Sequence, residues 1–128
     1  MRVATGEIGG QVAVYKYLTE SNYQISLRRR SVSGYATTHF SESSDDVMSG
    51  AQIAKQWPGK DYTGQVMYKV EIPTEKMSGF SIPRPDGGDG VAGWEYRANS
   101  YPEYGRGQWN QFRINPVKLD DVVIKRLL

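Results

Sequence analysis

The residues with the most chemical promise lie in the run Gly105-Arg106-Gly107-Gln108-Trp109-Asn110-Gln111-Phe112-Arg113-Ile114-Asn115-Pro116. Two glycines give a loop that is mobile or tightly turned. An aromatic follows, and the next residues alternate as a strand does. Phe112 and Ile114 fall on one face, Trp109, Gln111 and Arg113 on the other. With the first pair in a core, the second set points together across the opposite face. A neutral amide, Gln111, at the start of a strand, behind a glycine loop and beside an indole, suits a ligand clamp: it donates and accepts hydrogen bonds but is no general base. Two aromatic runs upstream, Val14-Tyr15-Lys16-Tyr17 and Tyr35-Ala36-Thr37-Thr38-His39-Phe40-Ser41, can supply the other walls of a cleft.

Composition removes several alternatives. The chain has 128 residues, enough for one domain with a proper core. It has no cysteine and a single histidine, His39, so disulfides, thiolate metal sites, His-cluster zinc sites and two-histidine acid–base chemistry are out, and no metal is expected. No apolar run approaches the roughly 18–20 residues of a membrane span. A net charge of +2 permits a nucleic-acid footprint without indicating one. There is no G-x-S-x-G elbow, no P-loop and no G-x-G-x-x-G that joins a strand directly to a helix. Glu71, Asp86, Asp89, Glu95 and Glu103 form no recognisable carboxylate pair. The chain reads as a domain excised from a longer one, with Met1 added.

The elements that must position these residues can be taken in order. Residues 1–10, ending Gly9-Gly10, read as a linker, and 11–128 as a single domain. Gln11 to Leu18 is a first strand, with Val12, Val14 and Lys16 on one face and Ala13, Tyr15 and Tyr17 on the other. Thr19 caps a helix that carries Tyr23 and Leu27 inward and closes at Arg28-Arg29-Arg30. The triple arginine is either a solvated helix end or a phosphate clamp. Ser33-Gly34 reads as a turn, and Gly34 to Phe40 as a second strand. Ser43 or Ser44 before Asp45-Asp46 starts a second helix, with Val47, Ala51, Ala54 and Trp57 at helical spacing and Pro58-Gly59 as its stop. Gln65 to Ile72 is a strand, Ser78 to Ile82 a short one, 83–90 an exposed loop, and Trp94 to Ala98 a further strand. Trp57 and Trp94 read as core aromatics. Pro116 is expected to break the strand that Gln111 begins, and the Val-Val-Ile run of 120–128 favours a closing strand over a short helix. Helices gathered early and antiparallel strands late make an α+β pattern.

That element order, with the signatures in VAVYKYL, GYATTHFSES and EYRANSYPEYGRGQWNQFRINPVKL, resembles the ADP-ribosyltransferase superfamily, and most of all the C-terminal toxin domains of bacterial polymorphic and Rhs-type proteins. The resemblance implies a split antiparallel β-sheet with two short helices in the N-terminal half, gripping NAD⁺ as co-substrate without a metal. The family's first motif, an Arg or His at the end of the first strand, corresponds to Lys16, which binds phosphate as a point charge but lacks the arginine fork; Arg28 or a neighbour is the other basic candidate. The second motif corresponds to Thr37-Thr38-His39-Phe40-Ser41, with Phe40 or Tyr17 stacking on the nicotinamide ring. The third corresponds to Gln111, with Trp109 in the preceding loop. Most members carry Glu there, and some related NAD glycohydrolase toxins carry Gln.

The resemblance further implies a mono-ADP-ribosyltransferase acting on a protein or RNA target in a recipient bacterium, or an NAD⁺ glycohydrolase of the same fold. A cognate immunity protein would cover the cleft in the producing cell. Two rivals from other classes stand beside it: a metal-independent ribonuclease toxin leaning on Arg28–Arg30, Tyr and Glu, and a non-catalytic binding domain using Tyr-, Arg- and Gly-rich loops.

Overall fold

The computed structural model describes residues 12–56, 59, 63–83, 89–90, 96–97 and 102–128. The proposed linker at 1–10, Trp57, Pro58, Trp94 and most of the 83–90 loop lie outside these. The described chain forms a small α+β domain of two helices and two antiparallel sheets. Strands β1 (Ala13–Leu18), β2 (Ser31–Ala36), β3 (Tyr68–Pro73), β4 (Phe80–Pro83), β5 (Asp89–Gly90), β6 (Tyr96–Arg97), β7 (Asn110–Lys118) and β8 (Val123–Arg126) accompany helices α1 (Glu20–Arg29) and α2 (Ser44–Gly50). One sheet runs β1-β3-β8 and the other β2-β7-β4-β5, with β6 also on β7. No helix among the described residues is long and apolar enough to cross a membrane.

Period-2 alternation builds the core between the sheets. Val14 and Leu18 of β1, Val70 and Ile72 of β3, Val32 and Ala36 of β2, and Phe112, Ile114 and Val117 of β7 all turn inward and are buried. A second cluster of Val47, Met48, Val66 and Trp109 packs α2 and the entry to β7 against the first. Both helix starts follow their caps: Thr19 Oγ1 accepts from Asn22 N–H at 3.1 Å, and Ser43 Oγ from Asp46 N–H at 3.2 Å.

The structure corrects the sequence reading in four places. Ser33-Gly34 is no turn: Gly34, at φ 88°, sits at a register shift inside β2, where left-handed backbone suits glycine. The second strand accordingly ends at Ala36, with Thr37 beyond it only bridged. Pro116 stays within β7: β4 pairs only with Arg113 and Ile114, and on the β2 side Asn115 and Pro116 span the register shift, so no ladder donor is demanded of the proline. Helix α2 stops at Gly50, before Ala51 and Ala54. Leu27 is 41% exposed, whereas Tyr23 does pack, stacked on Tyr68 at 4.0 Å.

Candidate functional site

The two sheets join at one corner. Tyr15 and Thr37 exchange backbone hydrogen bonds, each 2.8 Å, and beyond this bridge β1 continues in one sheet while β2 continues in the other. The divergence opens a small cleft of about 80 Å³. Lys16 and Tyr17 from β1, Thr37 after β2, and Trp109, Asn110 and Gln111 at the entry to β7 line it, with apolar side chains from α2 and the segment after it on one side. No Asp or Glu among the described residues lines it, and no group of three potential metal ligands occurs among them.

The glycine loop before β7 is not free. Gly107 N–H donates to Ser49 O (2.9 Å), Trp109 N–H to Gly50 O (3.2 Å) and Arg106 N–H to Ser49 Oγ (3.1 Å), while Gln52 Nε2 donates to Gly105 O (3.2 Å). Arg106 adds an ion pair to Asp46 at 2.6 Å, which holds the Asp46 carboxyl below its usual range. Glycine at position 50 makes the docking possible, because a Cβ there would stand 2.3 Å from the Trp109 indole. Thus anchored, Trp109 stacks on His39 (5.0 Å, 10° between planes) and tilts against Tyr17 at 5.8 Å.

Asn110, which sequence reasoning passed over, is the most heavily engaged polar residue of the cleft. Its Oδ1 accepts from Thr37 Oγ1 (2.8 Å), Thr38 Oγ1 (3.1 Å) and Thr38 N–H (3.2 Å). These bonds tie the residues after β2 to the start of β7. The N–H donor from Thr38 also fixes which end of the amide is oxygen. The other end, Nδ2, is buried and has no hydrogen-bond partner. A buried donor left unpaired costs about 1–3 kcal/mol. A signal existed in the sequence: Asn110 shares its strand face with Phe112 and Ile114, and a polar residue on an apolar face is the informative exception.

Lys16 is the counterpart on β1. It lies between Val14 and Leu18 on the inward face, and its Nζ donates to Tyr35 O at 2.9 Å. A Cβ at Gly34 would lie 3.6 Å from the Lys16 nitrogen, an ordinary contact, so the left-handed backbone rather than space calls for glycine there. Lys16 forms no salt bridge with a described residue, and desolvation pushes its ammonium down to about 8.

The other residues named from sequence divide. Gln111 lines the cleft beside Asn110 and is partly buried. Thr37 and Thr38 are held by Asn110. The Tyr17 hydroxyl donates to His39 O (2.7 Å) and accepts from Ser41 N–H (2.9 Å), so it braces the chain after β2, and burial raises its pKa far above the usual value. Ser41 is buried and accepts from Ser43 N–H at 3.1 Å, at the approach to α2. Phe40 does not line the cleft: it lies 55% exposed on the outer side of the three-stranded sheet, edge-on to Tyr15 with Lys69 Nζ 4.1 Å from its ring. Arg28 is exposed at the end of α1 and is not among the residues lining the cleft.

Compared with protein-family models, curated proteins and solved structures, the chain finds no significant match in any of the three.

Proposed function

We propose that the protein is an NAD⁺-consuming domain of ADP-ribosyltransferase-like fold that breaks the nicotinamide–ribose bond. One observation carries the reading. Lys16, Thr37 and Gln111, singled out in three distant stretches of sequence, line a single cleft where two antiparallel sheets part. In this reading the Lys16 ammonium faces the dinucleotide's phosphates, Trp109 and Tyr17 wall the nicotinamide, and Gln111 hydrogen-bonds a ribose hydroxyl.

The chemistry follows from what the residues lack. The electron pair of the C1′–N bond leaves with nicotinamide and neutralises its pyridinium, and positive charge develops on the ribose, as in glycoside hydrolysis. Gln111 takes no proton, so rate enhancement comes from orientation and from polar groups set around the developing charge. Water or an already nucleophilic acceptor then adds to C1′ and gives its proton to solvent. The acceptor is a protein or RNA of a recipient bacterium, or water, and the cognate partner is an immunity protein seated over the cleft.

Nicotinamide release from NAD⁺, with and without bacterial lysate, tests this for wild type and Gln111→Ala. Release without lysate that is lost in the variant is the expected result for a glycohydrolase. Release or label transfer only with lysate is the result for a transferase, and the labelled species names its target. Folded protein that consumes no NAD⁺ under either condition sinks the reading.

A further inference from the structure

We infer that Asn110 is a ligand-contacting residue of this cleft, its vacant amide N–H groups donating to an acceptor oxygen of the bound molecule. The inference rests on the cleft being the NAD⁺ site and adds to it a residue and a polarity. The two ends of one carboxamide are unequally used here: Oδ1 receives three donors, and Nδ2, on a side chain only 3% exposed, gives to none. Buried amides in native proteins are paired, and an exception calls for a cause. The Thr37 and Thr38 hydroxyls do not supply one: both sit against Oδ1, and neither oxygen accepts from Nδ2. Nor can Gln111 as the next residue in the strand, since its side chain leaves from the opposite face.

The rest of the lining points the same way. Lys16 offers an ammonium with one protein acceptor, and no carboxylate of a described residue lines the cleft to take up either group's hydrogens. A site rich in donors complements a molecule rich in acceptors: a carboxamide or phosphate oxygen, or a ribose oxygen, each of which NAD⁺ presents. Nδ2 is closed to solvent, so an acceptor oxygen reaches it only as the side chains around Asn110 shift. Oδ1, meanwhile, keeps the Thr37–Thr38 segment in place.

Asn110→Asp separates the two ends of the side chain, because a carboxylate keeps the three accepted bonds and loses the donors. The KM for NAD⁺ is expected to rise at least about tenfold, the scale of one lost hydrogen bond. On wild-type protein, the Asn110 side-chain ¹H–¹⁵N signals are expected to shift on titration with NAD⁺, ADP-ribose or nicotinamide. This second readout holds even if the variant fails to fold. If wild type turns over NAD⁺ while Asn110→Asp keeps a wild-type KM, or while the Asn110 signals stay still with all three probes, the inference falls and the NAD⁺ reading stands. If NAD⁺ is not consumed but ADP-ribose or nicotinamide moves those signals, the donor role stands and the enzymatic reading falls. No turnover and no movement overturns both.

Discussion

The interior between the sheets and the seam where they part are built from the same strands, yet they are satisfied to different degrees. On β1, Val14 and Leu18 are sealed in apolar contacts, while Lys16 between them is desolvated and has no ion pair with a described residue. On β7, Phe112 and Ile114 fill the core, while Asn110 one step earlier leaves a buried donor vacant. The interior spends its groups on the fold; the seam holds groups that cost the fold something. In the proposed reading, such unequal use belongs to positions kept for a ligand rather than for stability. Mutations in the two regions should therefore differ in sign as well as in size.

The largest effect belongs to the interior. Phe112 is fully buried at the meeting of both sheets, and Phe112→Ala should cost about 3–5 kcal/mol in urea unfolding. Gly50→Ala probes the boundary between the regions: its methyl would collide with the Trp109 indole, so a loss of about 1–3 kcal/mol by thermal melting is expected, with NAD⁺ turnover falling as Trp109 is displaced. Lys16→Met should reverse the sign. Removing a desolvated charge is expected to stabilise the protein at neutral pH by on the order of 1–3 kcal/mol, while weakening NAD⁺ binding. A Lys16→Met protein less stable than wild type would erase the distinction between the two regions.

The pH dependence has the same origin. Because the folded pKa of Lys16 is depressed to about 8 from 10.5, the unfolded chain holds more protons between those values, and wild-type stability should rise with pH from about 8 until the tyrosines begin to ionise near 10. In the same window the KM for NAD⁺ should rise, as the charge proposed to face phosphate is lost. Lys16→Met should lack both trends. The smallest effect is expected from Asp46→Asn, which breaks an ion pair exposed on both sides: less than about 1 kcal/mol by chemical denaturation.

How far the sequence spoke depended on whether the signal was local. Thr19 and Ser43 announced their helices because a cap acts within three residues, and Tyr68, Val70 and Ile72 announced β3 because alternation needs no partner, although the strand begins at Tyr68 and not at Gln65. Pro116 misled because a proline's penalty depends on which neighbouring strand asks for its N–H, a tertiary fact. Helix α2 reads too long from sequence because Ala51, Ala54 and Trp57 keep its spacing, although Gly50, where the helix ends against Trp109, is itself a local stop signal. The site was half legible. Gln111, Lys16 and Thr37 could be picked out as chemistry, but the choice of Gln111 over Asn110 assumed that function sits on the face away from the core. At a seam between two diverging sheets the inward face is also the cleft face.

The three bonds converging on Asn110 Oδ1 join residues 72 and 73 positions apart. Contacts of that span are expensive to close and are made after local structure has formed. Hairpin-like and helical pieces around β1, α1 and β2 can assemble while the chain is still short, whereas the cleft cannot exist until β7 has arrived beside β2. The cleft is thus expected to be a late property of this molecule, formed near the completion of folding, and a chain halted earlier would carry much of its secondary structure without it.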